Sequence, residues 1–499
     1  MVTPPEPFRD LDLDPKRTRA LVDAAADLFQ EYLERLPSLP IDRGRTIGEV
    51  REAVVVDVPE QGLSDQDLIE YLRGIVFDSA MYTGHPGFMA YISGSGTAPG
   101  AVADLIAAAV NQNVGGWRLG PGATELELYL TGWFAEQFGL PEQAGGLVAS
   151  GGSMANFIAL KVARDRALGI EARERGVVDA RLTAYTSKEV HFATTRAADM
   201  LGMGSSSVRL IETDDNLKLD VEAMVRNIDA DLSNGFRPFA VIATAGTVST
   251  GAVDPLREIA AVCRERQLWM HIDAAYGGPA ILAEDLRPLL SGVESADSIA
   301  FDPHKWMYTP HSGGVVLLRD LQWLADSFAA HGTYVHEDKE LTGRGLDLGM
   351  MGPQLSRSFW ALKIFVSLLA FGTEAYGKRI SHDVSLARYL ADLVSQEDDF
   401  ELMAPVELSI CCFRYVPRDL PAREGTEEYL DELNARLMAS VQMDGRVYYS
   451  NAVIGDRFVL RCCIVNFRTE APHLDQVIEV TRALGEKIDA EMRPEALRV

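Results

Sequence analysis

A strand-like apolar run, Ser298-Ile299-Ala300-Phe301, stops at Asp302-Pro303 and is followed at once by His304-Lys305-Trp306. A lysine at a strand end, partly desolvated beside another cationic group, can give up a proton and condense with an aldehyde. Lys305 is therefore the first candidate for covalent chemistry. A second strand-like run, Leu268-Trp269-Met270-His271-Ile272, ends in Asp273-Ala274-Ala275-Tyr276, and its aspartate lies 32 residues before Lys305. A lysine and a carboxylate at two strand ends meet the needs of pyridoxal 5′-phosphate (PLP). The lysine forms a Schiff base with the aldehyde, and the carboxylate keeps the pyridine nitrogen protonated so that the ring accepts electrons. Ala275 is small enough for that ring to lie against the strand end.

Further residues suit the rest of such a cofactor. Ser150-Gly151-Gly152-Ser153-Met154-Ala155-Asn156 follows a short strand and opens a helix. Its glycines permit close backbone approach, Ser153 is expected as the N-cap, and the free amides with the helix dipole attract a phosphate. The cluster Gly94-Ser95-Gly96-Thr97-Ala98-Pro99-Gly100 fails the dinucleotide pattern, because its third glycine comes one residue late and Pro99 interrupts the helix start. His191, at the next strand-to-helix turn, is either a capping residue or a ring that stacks on the pyridine. Thr244 is either a hydrogen-bonding partner of the cofactor or an ordinary β-branched strand residue. Tyr334 is the only tyrosine in the irregular stretch 325–352. A phenol on a closing lid can deliver a proton to a carbanion, although many exposed loop aromatics do nothing. His271 and Asp273 share a strand face, but the other histidines offer no companion at ligand spacing, so no metal is expected.

The elements that must hold these residues alternate from about 145 to 320. Strands are expected at 147–150, 182–186, 208–211, 239–244, 268–272, 298–301 and 314–318, with helices at 154–166, 192–201, 221–232 and 256–266 between them. This rhythm predicts an α/β fold, a mostly parallel sheet covered on both faces, with ligands at the carboxyl ends of its strands. Asp273 and Lys305 both fall there. Residues 325–352 carry several glycines and no clear period, as a lid would. A helix resumes at about 355–371, and strand-like 408–415 and 458–467 around a helix at 426–440 read as a smaller α+β domain. Residues 1 to about 85 are helical in period, with Ser64-Asp65 as a cap, yet too small to stand alone. They are expected to pack on something else, a partner subunit included.

With 499 residues, the chain calls for two or three domains. Its net charge of −26 argues against binding nucleic acid. Five cysteines include the adjacent pairs Cys411-Cys412 and Cys462-Cys463, with no CxxC spacing. Neighbours on a strand face opposite ways, so reduced buried thiols in a cytoplasmic protein are expected. The first residues lack the features of a signal sequence, and no apolar run approaches membrane-spanning length.

Taken together, these residues resemble the group II PLP-dependent decarboxylases, nearest the aromatic-L-amino-acid decarboxylase branch. The similarity runs from about His85 to Phe467. It is carried by His85-Pro86-Gly87-Phe88 with Tyr91, Gly122-Ala123-Thr124-Glu125-Leu126-Glu127, Asp273-Ala274-Ala275-Tyr276-Gly277, Pro303-His304-Lys305-Trp306, Ser356-Arg357-Ser358-Phe359 with Leu362-Lys363, and Asp456-Arg457-Phe458-Val459-Leu460-Arg461, all in order. The resemblance implies a type I, aspartate-aminotransferase-like fold with a seven-stranded sheet. It further implies an N-terminal helical arm over 1–85, a large PLP-binding domain over 86–372 and a small domain over 373–499. A homodimer follows, with the arm swapped and the active site at the interface. Lys305 then takes the Schiff-base role, Asp273 the pyridine nitrogen, His191 the ring face, and Tyr334 the proton donor. Gly151, Gly152, Ser153, Thr244, Ala275, Asp302 and His304 form the cradle. The implied reaction converts an L-amino acid to its amine and carbon dioxide. An oxygen-dependent aldehyde synthase, a decarboxylase of a non-aromatic amino acid and a silent PLP-binding protein are the alternatives. Three departures stand out: Gly-Gly in the phosphate turn where relatives often have Ser-Ala, Asp302 where asparagine is common, and Gly115-Gly116 before Trp117-Arg118 where bulkier residues are frequent. The glycines are expected to leave more room, and Arg118 to bring a cation near the substrate. Ser356 hints at a phenolic side chain.

Overall fold

The computed structural model describes residues 11, 13–169, 171–329 and 345–498. Seven strands form the central sheet: β1 (Gly145–Ala149), β2 (Leu182–Ser187), β3 (Val208–Ile211), β4 (Arg237–Thr244), β5 (Trp269–Asp273), β6 (Ser298–Phe301) and β7 (Gly314–Leu318), in the order β1-β7-β6-β5-β4-β2-β3. The pairs from β6 through β3 are parallel, and β7 runs antiparallel to both its neighbours. All residues of β1, β2, β5, β6 and β7 are buried, as strands covered on both faces must be, which explains their unbroken apolar runs. Strand β5 extends one residue further than its hydrophobicity indicates and ends on Asp273 itself. Parallel register then sets Thr244, Asp273 and Ala300 side by side at the carboxyl edge.

The helix Gly152–Leu168 lies against this sheet through Ala155, Ile158, Ala159, Val162 and Ala163, a helical stripe that shares a core with Leu147, Ala300 and Val316. Ser153 is not its cap. Gly151 holds that position and offers no side chain, while Ser153 is exposed at the second helical residue. The chain enters the helix early because of close packing: a Cβ on Gly152 would lie 2.6 Å from Asp302 Oδ2.

A second sheet, β10-β11-β9-β8, is wholly antiparallel and comprises β8 (Phe400–Leu402), β9 (Ile410–Tyr415), β10 (Ser450–Ile454) and β11 (Arg457–Cys463). Helices Thr426–Asp444 and Ala471–Met492 complete its core. The latter helix, with β8, β10 and the helices Ala98–Val110 and Pro121–Gln137, was not apparent from the sequence. Backbone from 87–89 joins this region: Met89 N–H donates to the Tyr448 carbonyl at 2.8 Å, and Cys463 N–H to Met89 at 2.8 Å. The helix expected at 355–371 starts at Trp360 and runs to Gln396, bent at Gly372, whose φ is 74°. The five cysteines are buried and free.

Helices Pro15–Arg35, Ile47–Val54 and Asp65–Gly74 make up the N-terminal arm, the third capped by Ser64. Among the described residues its own buried cluster comprises Leu28, Leu36, Leu39, Phe77 and Tyr82, and Val22, Phe29, Leu68 and Leu72 are exposed. Both described ends of the stretch 325–352, expected to be irregular, are ordered. Gln322–Phe328 is helical, and Asp347 Oδ1 accepts from Trp117 N–H at 2.6 Å while Gly349 N–H donates to Gly115 at 2.8 Å. Tyr334 lies outside the described residues. Among the described residues, no helix is long and apolar enough to cross a membrane.

Candidate active site

The carboxyl edge of β4, β5 and β6 opens into a cavity of about 440 Å³. Gly151, Gly152, Ser153, His191, Thr244, Asp273, Ala275, Asp302, His304 and Lys305 all line it. Every described site residue read from the sequence is thus brought to one place, from five different strand-to-loop junctions.

Lys305 Nζ lies 3.0 Å from Asp302 Oδ2, at the turn that leaves β6. That turn is held from behind. Asp383, on the long bent helix, accepts from Trp306 Nε1 at 2.9 Å and Tyr308 Oη at 2.5 Å, and pairs with Arg379 at 2.6 Å. Trp306 also stacks on Tyr276 with ring centroids 5.1 Å apart. These contacts hold the backbone that follows Lys305. Burial pushes Asp383 up to about 6.

Asp273 is nearly inaccessible, at 5%. Its Oδ1 accepts from Ala275 N–H at 3.0 Å and its Oδ2 from Asn156 Nδ2 at 3.2 Å. Burial raises its pKa, while the charge of Lys305 and these N–H donors oppose that rise. His191 Nδ1 accepts from Ala193 N–H at 3.2 Å, which leaves the proton on Nε2. Burial, and then the charge of Lys305, lower its pKa, so the ring is neutral. A neutral imidazole suits stacking on a protonated pyridine better than an imidazolium does.

At the other end of the cavity, Gly151 and Gly152 present bare backbone at a helix start. Asp302 Oδ1 is buried there, and Thr244 Oγ1 is buried beside Asp273, neither with a hydrogen-bond partner among the described residues. Thr244 itself is held by its backbone N–H, which donates to Asp254 Oδ2 at 2.7 Å. His304 Nδ1 is hydrogen-bonded to the Gly313 carbonyl, and its ring lies 4.5 Å from that of His311. Helix-start amides, the exposed Ser153 hydroxyl and two imidazoles fit a phosphate, and Asp273 at the far end fits a protonated ring nitrogen. The residues present therefore suit PLP. Asp302 adds a carboxylate to the phosphate end, balanced by Lys305.

One expectation fails. A Cβ on Gly115 would meet the Leu355 carbonyl oxygen at 1.8 Å, so backbone fills the space that the missing side chain was expected to leave. Arg118 and Ser356 are exposed and do not line the cavity of their own chain. Asn156, His311, Asp254 and Asp383 were missed. Asn156 stands within the glycine-turn motif that the sequence does display, and His311 follows the lysine motif by only a few residues. The two aspartates act from loops and helices that only folding brings near.

Comparison with known proteins agrees with this chemistry. Residues 48–416 match the pyridoxal-dependent decarboxylase conserved domain. The chain is 34% identical over 479 residues to the aromatic-L-amino-acid decarboxylase of Bacillus atrophaeus, covering 96% of this chain and 98% of that one. A crystal structure of Oryza sativa TDC with PLP and tryptamine superposes with a TM-score of 0.88 at 29% identity, over 96% of this chain and 99% of the other. The Rhodiola rosea 4-hydroxyphenylacetaldehyde synthase gives 0.85 at 26% identity, over 95% and 99%. Fold and site together define a PLP-dependent carboxy-lyase acting on an amino acid. More particularly, the chain belongs to the pyridoxal-dependent decarboxylase family.

Proposed function

We propose that this chain converts an aromatic L-amino acid to its amine and carbon dioxide, with the roles of the cavity residues as follows. When bound, PLP supplies the electron sink that stabilises the charge left on the α-carbon as carbon dioxide departs. Lys305 Nζ would hold the group through its aldehyde. Asp273 holds the proton on the pyridine nitrogen. His191 covers one ring face and shields it from water. The amides of Gly151 and Gly152, the Ser153 hydroxyl and His304 bind the phosphate, Thr244 hydrogen-bonds the cofactor, and Ala275 leaves room for the ring. Tyr334 returns a proton to the α-carbon, which makes the amine the product. The observation that carries the reading is the meeting of Lys305, Asp273 and His191 in one cavity at three strand ends. The relative from Bacillus atrophaeus supports an aromatic substrate.

The functional unit in this reading is a homodimer with the cavity at its interface. Val102, Leu105, Ile106 and Val110, on one face of the helix Ala98–Val110, are 50–57% exposed, and Leu369 and Phe371 are similarly bare. Such a surface supports burial by a second copy, as does the arm with its small core. The domains follow the two sheets, with the large one over 86–372 and the small one over 373–499. Buried free thiols support a reducing, cytoplasmic setting.

Purified protein incubated with PLP and a panel of L-amino acids, with amine, carbon dioxide and peroxide all quantified, tests this. Amine equal to carbon dioxide, greatest for an aromatic substrate, is expected. Peroxide equal to carbon dioxide would assign the chain to the aldehyde-forming alternative. Lys305→Ala should lower turnover about a thousandfold or more and abolish the visible absorption of the bound cofactor.

A further inference from the structure

Behind Asp273 lies a run of buried polar side chains that the reaction as described does not use. Trp269, His271 and Asp273 alternate along β5 and so project to one face. Ser298 pairs with His271 across the parallel register of β5 and β6. Asn156 stands on the first turn of the helix Gly152–Leu168. The contacts are consecutive: Trp269 Nε1 to Ser298 Oγ at 2.8 Å, Ser298 Oγ to His271 Nδ1 at 2.9 Å, His271 Nε2 to Asn156 Oδ1 at 2.6 Å, and Asn156 Nδ2 to Asp273 Oδ2 at 3.2 Å. His271 and Ser298 are wholly buried and Asn156 is 1% exposed.

Chemistry fixes the direction of this chain from both ends. Indole nitrogen only donates, so Ser298 Oγ accepts from Trp269. The Asn156 amide nitrogen also donates to the Gly152 carbonyl at 2.9 Å. Turning that amide over would set its oxygen against two acceptors, Gly152 O and Asp273 Oδ2. Its oxygen therefore faces His271, whose Nε2 must carry the proton. Nδ1 of His271 is left to accept from Ser298. Each donor then meets one acceptor, and the series ends as an N–H aimed at the carboxylate. Burial holds the imidazole neutral, pushing its pKa down to about 3.

We infer that His271 and Asn156 are positioning residues: a one-way hydrogen-bond relay from Trp269 locks the Asn156 amide so that it always donates to Asp273. The relay favours the ionised carboxylate, which burial alone disfavours. It also fixes which lone pair of Asp273 Oδ2 is taken, leaving the others for the pyridine nitrogen. The charged and titratable groups that act on Asp273 besides the relay are Lys305 and Asp302, and neither touches His271. The inference rests on the proposed pairing of Asp273 with the ring nitrogen.

Nitrogen-15 spectra of the protein labelled at its nine histidines, without and with PLP, read the tautomer directly. A neutral His271 with its proton on Nε2 is expected in both states, and a proton on Nδ1 or a charged ring would overturn the relay. PLP titrations of variants supply the second reading. His271→Leu should weaken PLP binding about tenfold and move the pH midpoint of the bound cofactor's absorption, because the amide is then free to turn. His271→Gln, which keeps a donor near the Nε2 position, should recover binding to within about threefold. Ser298→Ala, a small change in a small site, should fall between. Wild-type affinity and an unmoved midpoint in both His271→Leu and Ser298→Ala would reject the inference, and if the leucine variant fails to fold, Ser298→Ala decides. Absence of PLP binding by the wild type would instead reject the role given to Asp273, while the tautomer in the cofactor-free protein still tests the relay.

Discussion

The two ends of the cavity are built on opposite plans. Around Asp273, both carboxylate oxygens are held by protein N–H groups, and the partners of those groups are themselves satisfied back to Trp269. Around the Gly151-Gly152 turn, side chains are missing, and Asp302 Oδ1 has no partner among the described residues. A charge whose ionisation state must not vary sits in a finished network, where any rearrangement costs hydrogen bonds. A group that must receive a mobile dianion sits among bare amides and open hydroxyls, which keep their bonding capacity for it. Under the proposed function, the finished end governs chemistry, and the open end governs affinity.

Substitutions can break or sharpen that division. The largest effect is expected from Asp273→Asn, which keeps the shape but sets an amide nitrogen against the one on Asn156 or surrenders the charge. Turnover should fall about a thousandfold, with PLP binding weakened far less. A turnover within tenfold of wild type would place the chemistry elsewhere. Gly152→Ala comes next. Its Cβ would lie 2.6 Å from Asp302 Oδ2, so PLP affinity should drop about tenfold while far-ultraviolet circular dichroism stays unchanged. If turnover of the saturated enzyme fell as steeply as affinity, the two ends would not be separable. Asp302→Asn should act the other way and more gently. Removing a carboxylate from the phosphate end should tighten PLP about threefold at low salt, less at high salt. Weaker binding would show that the ion pair with Lys305, at 3.0 Å, organises the site rather than opposing the phosphate.

The smallest effect is on stability against acid. Buried His85 and His271 titrate at about 4 and about 3 in the folded chain, below the ordinary 6.5. Below pH 6.5 the unfolded chain binds protons that the folded one refuses, so these residues lower stability as pH falls. Asp254 and Asp383, raised to about 6 from 3.8, bind protons first in the folded chain and work in the opposite sense between pH 6 and 4. Replacing His271 by Gln removes one of the acid-sensitive groups. The variant should therefore lose less melting temperature than the wild type between pH 7 and pH 4.5, by about 2 °C or more. An equal loss would mean that His271 is accessible to protons, and that the finished end is looser than its hydrogen bonds indicate.

Much of this site was legible before folding was considered. The seven strands of the main sheet were readable because parallel strands covered on both faces are unbroken apolar runs, and Lys305 and Asp273 stood out as charges ending such runs. Ser153 misled because N-cap preference is a local rule, whereas the helix start is set by the close approach of Gly152 to Asp302. Gly115 misled for a related reason: a missing side chain suggests space, and only the fold shows the Leu355 backbone occupying it. The small antiparallel sheet was half visible. β8 spans only Phe400–Leu402, too short for a period to show, and β10 alternates with buried and exposed positions beside a turn.

Residue type and local pattern by themselves determined the chemistry on offer: a lysine for an aldehyde, a carboxylate for a ring nitrogen, a bare turn for a phosphate. Those follow from side-chain functional groups and from whether each sits at the end of an apolar run. Tertiary structure alone decided how the groups are held. Asn156 reaches Asp273 across 117 positions, Asp383 reaches Trp306 across 77, and Ser298 meets His271 through strand register. Hydrogen bonds depend on distances of tenths of an ångström between atoms that covalent connectivity leaves far apart, and sequence order carries no record of those distances.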